Sequence, residues 1–442
     1  MLGERLALDV ESDAVHALDE LAYELVGAWS EAEGRFLPGE AARIRHEYGD
    51  SQTREAMGEI EGLVASGQLF TPAQSGLEPG GPPVFKSLCL HMAHDCNMRC
   101  AYCFASAGSF GSERSLMPAA TAKQAVDFVA GASGARRNIE IDFFGGEPLL
   151  NFAAIKETVE HARAIEHGAG KRFRFTLTTN GLLLAGEAAR FANEHMDNLV
   201  LSADGRPQVH DAMRKSLAGG GTYAKVVPRL KAAVAARGGK SYYVRGTYTS
   251  RNKDFASDVA HLAGLGFSHI SVEPAAAPCD PALEFAPEDL GGLLSEYERL
   301  ASLVRASRLK GRKPINFFHF RLDLDDGPCR ARRLKGCGAG FEYAAVAPDG
   351  GIYPCHQFAG QPAFRLGDVW SGVTDVGIRD AFREAGGIGK QPCAGCWAKY
   401  FCGGGCAANA WHYSHDIAKP NAFYCELQKK RLECAIWLLV NY

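Results

Sequence analysis

The sequence has no surplus of basic charge: Lys and Arg number 48 against 51 Asp and Glu, a net charge of −3. No basic stripe offers a track for a phosphate backbone, which argues against a nucleic-acid partner. No apolar run approaches the about 18 residues that a membrane-spanning helix needs. The opening Met-Leu-Gly-Glu-Arg-Leu also lacks the basic-then-apolar layout of an export signal. These absences bear on the 14 cysteines. In an exported chain they would read as disulfides, whereas in a reducing cytoplasm clustered cysteines read as metal ligands. A cytoplasmic protein is therefore expected. At 442 residues it is too long for one ordinary core, and two or three domains are expected.

A further absence is more specific. The run Cys-Asn-Met-Arg-Cys-Ala-Tyr-Cys-Phe supplies Cys96, Cys100 and Cys103 and no fourth cysteine. A [4Fe-4S] cube takes four ligands and favours thiolate sulfur, so three from the protein leave one iron open to a small molecule. A structural zinc ion would bring a fourth Cys or His at finger spacing. His94, two residues before Cys96, fits those spacings poorly. The run resembles the cluster loop of radical S-adenosylmethionine (SAM) enzymes, in which SAM fills the open position.

Composition divides the chain. In residues 1–70, Leu6, Leu8 and Val10 alternate with Ala7 and Asp9 as in a half-buried strand, and residues 14–18 can return as a second. Asp19 is a candidate N-cap for a helix bearing Leu21, Leu25 and Val26, and helical stretches follow near 39–48 and 53–66, with Gly67 as a left-handed stop. A hairpin followed by three helices resembles the PqqD-like winged helix, which holds the leader of a precursor peptide on a sheet edge. A stabilising cap and a DNA-binding winged helix remain the alternatives. Residues 71–86, rich in Pro and Gly, read as a linker. From residue 87, strand candidates at 87–92, 138–144, 172–178, 198–202, 242–249 and 269–273 alternate with amphipathic helices. This alternation predicts parallel strands joined by right-handed crossovers, over residues 87–310. Six such units resemble the partial (β/α)6 barrel of radical SAM enzymes. The fold expected is thus α/β, and its site lies beyond the C-terminal strand ends.

Gly145-Gly146-Glu147-Pro148 follows one of these strands. By itself it is an ordinary strand-to-helix turn. Beside the cysteine loop it resembles the GGEP motif, which binds the amino group of SAM, and the resemblance gives all four residues to the cofactor. Tyr102 occupies the loop's aromatic position, which packs near adenine in the family. Thr178 ends a strand, and Ser202 and Asp204 resemble positions touching the ribose or carboxylate of SAM. Arg245 is a candidate partner for that carboxylate. Caps and turns at strand ends are the plain alternative for these last four residues.

The C-terminal third, residues 311–442, carries a second cysteine field. Cys337 is separated from Gly350 by twelve residues and Gly350 from Cys355 by four; then come Cys393-x2-Cys396-x5-Cys402-x3-Cys406 and, after a gap, Cys425. A zinc ribbon accounts for Cys393, Cys396, Cys402 and Cys406 but leaves the others unexplained. The seven positions resemble the SPASM domain, which carries two auxiliary [4Fe-4S] clusters. That resemblance gives Cys393, Cys396, Cys402 and Cys425 to a distal cluster, and Cys337, Cys355 and Cys406 to a nearer one, with Cys329 as candidate fourth ligand. Three [4Fe-4S] clusters and SAM are the cofactors implied. Cys89, Cys279 and Cys434 stand outside every pattern; buried inert thiols are the default, with Cys279 alone near the end of the last barrel strand. His356 and Gln357 border an auxiliary cysteine, as packing residues or as contacts to cluster or substrate.

Several stretches are closer still to one subfamily: Cys89-Leu-His-Met-Ala-His-Asp-Cys-Asn, Phe317-Phe-His-Phe, Gly327-Pro-Cys, Tyr353-Pro-Cys-His-Gln-Phe, Cys402-Gly-Gly-Gly-Cys-Ala-Ala-Asn-Ala and Cys425-Glu-Leu-Gln-Lys-Lys-Arg. They resemble the maturases of SCIFF peptides, which form ranthipeptide or sactipeptide-type thioethers between a cysteine sulfur and a carbon of an acceptor residue. The partners implied are a precursor peptide with its leader and an electron donor such as flavodoxin or ferredoxin. Rival readings are a formylglycine-type sulfatase maturase, a quinohemoprotein-subunit crosslinker, and, from a different class, a zinc-binding regulator without catalysis.

Overall fold

In the computed structural model, residues 3–73, 83–276, 280–309, 314–322, 324 and 335–441 are described. The N-terminal unit begins with an antiparallel hairpin, β1 (Arg5–Leu8) and β2 (Val15–Leu18). The Asp19 carboxylate then caps the helix Glu20–Gly27 by accepting from Ala22 N at 2.7 Å. Two strands that periodicity does not reveal follow, β3 (Trp29–Ser30) and β4 (Arg35–Phe36). Two-residue ladders carry no pattern of their own; this one is held by Trp29, edge-on to Phe36 and stacked on Phe70. Helices Pro38–Tyr48 and Asp50–Ala65 complete the unit, and Gly67, at φ +69°, stops the last of them. Leu25, Ala28, Phe36, Ala41, Ile44, Ile60 and Leu69 form a core separate from that of the barrel.

Parallel strands then alternate with helices. They are β5 (Ser87–Ala93), β7 (Asn138–Gly145), β8 (Arg172–Thr179), β9 (Asn198–Ser202), β11 (Ser241–Tyr248) and β12 (His269–Pro274). Each lies within two residues of its expected place. Their inward residues, such as Leu88, Leu90, Ile141, Phe143, Phe175, Leu177, Leu201 and Val244, are almost wholly buried, as expected of strands covered by helices on one face and core on the other. Between them lies a small antiparallel pair, β6 (Met98–Cys100) with β10 (Arg214–Ser216).

The sheet does not end at β12. β13 (Asn316–Phe317) adds parallel to it, so the expected boundary at residue 310 falls before the last parallel strand on that side. On the other side β14 (Tyr343–Val346) pairs parallel with β5, and β15 (Gly351–Tyr353), β16 (Gly367–Asp368) and β17 (Gly372–Val373) continue antiparallel, making eleven strands in one sheet. The helix Ala422–Val440 packs back on the barrel: buried Arg431 donates from Nε to Tyr297 Oη at 2.8 Å, and Tyr424 donates to the Ala275 carbonyl at 2.9 Å. The N-terminal unit touches this C-terminal part. Tyr400 donates to Glu11 at 3.2 Å, and Lys399 pairs with Glu11 at 3.1 Å. Among the described residues, no helix is long and apolar enough to cross a membrane.

Candidate active site

A cleft opens at the C-terminal ends of the parallel strands. Its walls carry Cys96, Cys100 and Cys103 from the loop after β5, Gly145 and Gly146 after β7, and Thr178 and Ser202 from β8 and β9. Arg245 and Glu273, from β11 and β12, lie across from them, and His356 and Gln357 of the C-terminal part close one side. The cleft holds about 230 Å³ and is open to solvent at its mouth.

The cysteine loop is fixed by the turn after β7. Gly146 N donates to the Ala93 carbonyl at 2.8 Å and Glu147 N to the Asp95 carbonyl at 2.9 Å. This approach is possible only without side chains: a Cβ on Gly145 would lie 2.4 Å from Ala93 O, and one on Gly146 2.1 Å from Asp95 O. The Glu147 carboxylate turns away from the cleft. Fully buried, it accepts from Thr179 Oγ1 and Asn180 N, both at 2.8 Å, and from Leu149 N at 3.1 Å. Burial raises its pKa to about 7 against those bonds. Pro148 is buried and starts the following turn. Glu147 and Pro148 thus shape the motif, while Gly145 and Gly146 present backbone to the cleft.

A second lock holds the loop from behind. Tyr102 donates to Asp204 Oδ2 at 2.8 Å, Arg214 Nε pairs with Asp204 Oδ1 at 3.0 Å, and Thr247 N donates to the same oxygen at 3.1 Å. Arg214 lies opposite Cys100 in the β6–β10 ladder, with its guanidinium over the Tyr102 ring. Burial, aided by Asp204, pushes the Tyr102 hydroxyl well above its ordinary range, so it stays a donor. Tyr102 lines the cleft, but Asp204 is fully buried behind the wall and its carboxylate is taken up by these three donors. Arg245 pairs with Glu273 at 2.7 Å. Burial works against the Glu273 charge, yet Arg245, His319 and Arg431 hold its pKa down to about 2. An arginine has five N–H donors, so this pair leaves others free for a ligand. Thr178 donates to Asp142, whose pKa burial raises to about 7. His356 is bonded through Nδ1 to Tyr343 Oη at 3.1 Å, and burial lowers its pKa to about 4, leaving a neutral imidazole.

The thiols fall into three groups. Burial raises Cys96 and Cys100 to about 12, and each lies in the field of Cys103. Cys355, Cys406 and Cys337 form a second mutually interacting set. Cys393, Cys396, Cys402 and Cys425 form the third. Among the described residues, no three His, Cys, Asp or Glu side chains have the arrangement of a site for one metal ion. All-thiol donor sets select soft metals and iron–sulfur clusters. The donor chemistry of each group is the kind that iron–sulfur clusters take. Cys329 and Cys279 lie outside the described residues. Cys89 and Cys434 are fully buried.

Sequence reasoning gave no role to Glu273, Thr247, Asn180 or Arg214. Glu273 and Thr247 lie at strand ends already recognised from the pattern, so position alone pointed to them. Arg214 sits in a three-residue strand that carries no such signal.

Comparison with known proteins agrees with this fold. Residues 90–248 match the family model described as the Radical SAM superfamily. A cysteine-type anaerobic sulfatase-maturating enzyme of Clostridium perfringens is 27% identical over 371 residues, 78% of this chain and 95% of its own length. An uncharacterized protein of Methanocaldococcus jannaschii is 30% identical over 129 residues, 29% of this chain; this chain spans only 42% of that relative. Among solved structures, native anSMEcpe with bound AdoMet and Cp18Cys peptide superposes with TM-score 0.66 at 21% identity, over 80% of this chain and 98% of the other. Streptococcus suis SuiB bound to precursor peptide SuiA gives TM-score 0.54 at 14% identity, over 95% of each chain. The α/β fold is thus shared with anSMEcpe and SuiB, and its parallel-strand part, residues 90–248, is the stretch that matches the Radical SAM superfamily. The chain is homologous to radical SAM enzymes.

Proposed function

We propose that this chain is a radical SAM maturase that forms thioether crosslinks between cysteine sulfur and an acceptor carbon in a SCIFF-type precursor peptide. The observation that carries this reading is the shared cleft. The Cys96, Cys100 and Cys103 loop forms one wall, and His356 and Gln357, next to Cys355, form another. A peptide residue between them would meet both the SAM side and the auxiliary side. Cys96, Cys100 and Cys103 would hold one [4Fe-4S] cluster with SAM, and the two C-terminal groups would hold two more, with Cys329 as candidate fourth ligand to the nearer one. When bound, this cofactor set supplies one-electron removal of hydrogen from an unactivated carbon and an acceptor for the surplus electron.

The chain's own residues position the reactants. Gly145 and Gly146 offer backbone to the SAM amino group, with Glu147 and Pro148 holding that backbone in place. Tyr102, Thr178, Ser202 and Arg245 line the remaining SAM surface, and Asp204 keeps Tyr102 and Arg214 in register behind it. The neutral imidazole of His356 is fixed by Tyr343. Residues 1–70 would hold the leader and so raise the local concentration of the core peptide at the cleft. A cytoplasmic location and a flavodoxin or ferredoxin donor complete the reading.

A second reading, a formylglycine-type maturase, draws on the sulfatase-maturating relative. The wider coverage by SuiB, 95% of this chain against 80% for anSMEcpe, supports a precursor peptide as substrate, and the higher TM-score of anSMEcpe, 0.66 against 0.54, supports the second reading. Anaerobic reaction with SAM and a short cysteine-rich precursor peptide, followed by mass spectrometry, tests the proposal. Loss of two hydrogens per crosslink, with the cysteine no longer alkylatable, is expected. An aldehyde product supports the second reading, and unaltered peptide refutes the first.

A further inference from the structure

Lys390 is 2% exposed, yet no carboxylate among the described residues pairs with it. Its Nζ donates to the Gly404 carbonyl at 2.8 Å. Gly404 lies midway between Cys402 of one C-terminal group and Cys406 of the other. The backbone there is drawn in tightly. A Cβ on Gly404, at φ +85°, would lie 2.7 Å from Gly387 O, and one on Gly336, beside Cys337, would lie 2.6 Å from Gly403 O. The ammonium group is therefore seated at the junction of the two groups. Burial lowers its pKa, and the largest opposing influences come from the sulfurs of Cys393, Cys406, Cys402 and Cys337, drawn from both groups.

A buried ammonium without a counter-charge is strongly disfavoured. Here the counter-charge available is thiolate sulfur, and thiolate-ligated iron–sulfur clusters are anionic. We infer that Lys390 is a shared counter-charge for the two C-terminal clusters, holding both reduction potentials up together. The inference rests on the three-cluster reading proposed above. A nearby positive charge stabilises the more negative, reduced form of each cluster, and net charge and hydrogen bonding are among the factors that set such potentials. One residue would then couple the two centres without ligating either. Lys390 is accordingly a positioning charge and not a catalytic residue.

The test uses the full-length, anaerobically reconstituted enzyme. Iron and sulfide are counted first, and potentials are then read by EPR-monitored redox titration of the wild type, Lys390→Met and Lys390→Arg. Iron near twelve per chain is expected in all three. In Lys390→Met both auxiliary midpoints should move negative together, while the signal perturbed by SAM stays in place. Lys390→Arg should restore both auxiliary values. Full iron with unmoved auxiliary midpoints overturns the inference, as does a shift confined to one cluster. If Lys390→Met loses iron, Lys390→Gln, which keeps a donor for Gly404, takes its place under the same criteria. About four irons in the wild type would instead overturn the three-cluster reading itself.

Discussion

The two cysteine fields are built in opposite ways. Cys96, Cys100 and Cys103 lie within eight consecutive residues, and barrel backbone fixes them: bonds from Gly146 and Glu147, the β6–β10 ladder, and the Tyr102–Asp204–Arg214 lock. The C-terminal cysteines are gathered from positions 337 to 425. Their supports are short elements such as Gln391–Ala394 and Lys399–Cys402, joined by glycine turns that touch one another. A site held by a sheet is set before any ligand arrives. A site held by loop-to-loop contact takes much of its order from what it binds, because metal binding and folding are then one equilibrium.

The sharpest way to break this comparison is substitution. Cys96, Cys100 and Cys103 changed together to Ala should abolish 5′-deoxyadenosine formation, measured by chromatography. The same change at Cys393, Cys396, Cys402 and Cys425 should spare SAM cleavage but remove peptide crosslinking. Deoxyadenosine from the first variant would refute the assignment of the loop. Next in size is Gly146→Ala, whose methyl group would meet the Asp95 carbonyl. The loop must shift, and SAM cleavage should fall at least about 100-fold, as expected when reacting groups are displaced by about 1 Å. Its C-terminal clusters should stay intact by EPR.

Iron removal sharpens the contrast further. Anaerobic chelation should expose residues 387–421 to protease while the barrel stays resistant; equal resistance of both regions would contradict the difference argued above. Glu11→Ala removes the carboxylate that Lys399 and Tyr400 bond at the interface with the N-terminal unit. A cost on the order of 1–3 kcal/mol is expected from the loss of these charge-assisted hydrogen bonds, read by denaturant titration. A change of slope, and not of a single value, is expected at Asp142. Its pKa is raised in the folded chain, to about 7, so between the unfolded value and 7 the folded state holds the extra proton. Its contribution to stability therefore falls as pH rises through that window, by at most about 1.4 kcal/mol per pH unit. Asp142→Asn should flatten that slope, and an unchanged slope would remove Asp142 from the account.

The barrel was readable in the sequence because β5, β7, β8, β9, β11 and β12 are long enough to show apolar pattern and turn signals. Asp19 and Gly67 were equally readable, since caps and stops are local chemistry. The division of the C-terminal cysteines into two groups came from their resemblance to the SPASM domain; spacing alone left a zinc ribbon open for four of them. What the sequence hid is long-range. Nothing near Tyr343 says that β14 will lie beside β5, and nothing near Asp204 says that its carboxylate will be filled by Tyr102 and Arg214 and not face the cleft. Lys390 looks like any surface lysine until the Gly404 carbonyl is found beside it. Strands of two or three residues, such as β3 and β6, are set by tertiary contact and leave no period to detect.

The pairing of β14 with β5 has a practical consequence for anyone recombining such chains. The covalent order suggests two cassettes, one after the other, but the mechanical seam runs elsewhere, because a strand from the later cassette shields the flank of the earlier one. A graft joined at residue 311 would strip that flank and leave raw main-chain amides ready to zip onto a neighbour. A graft that carries β14 through β17 along with the barrel would travel as a sealed unit.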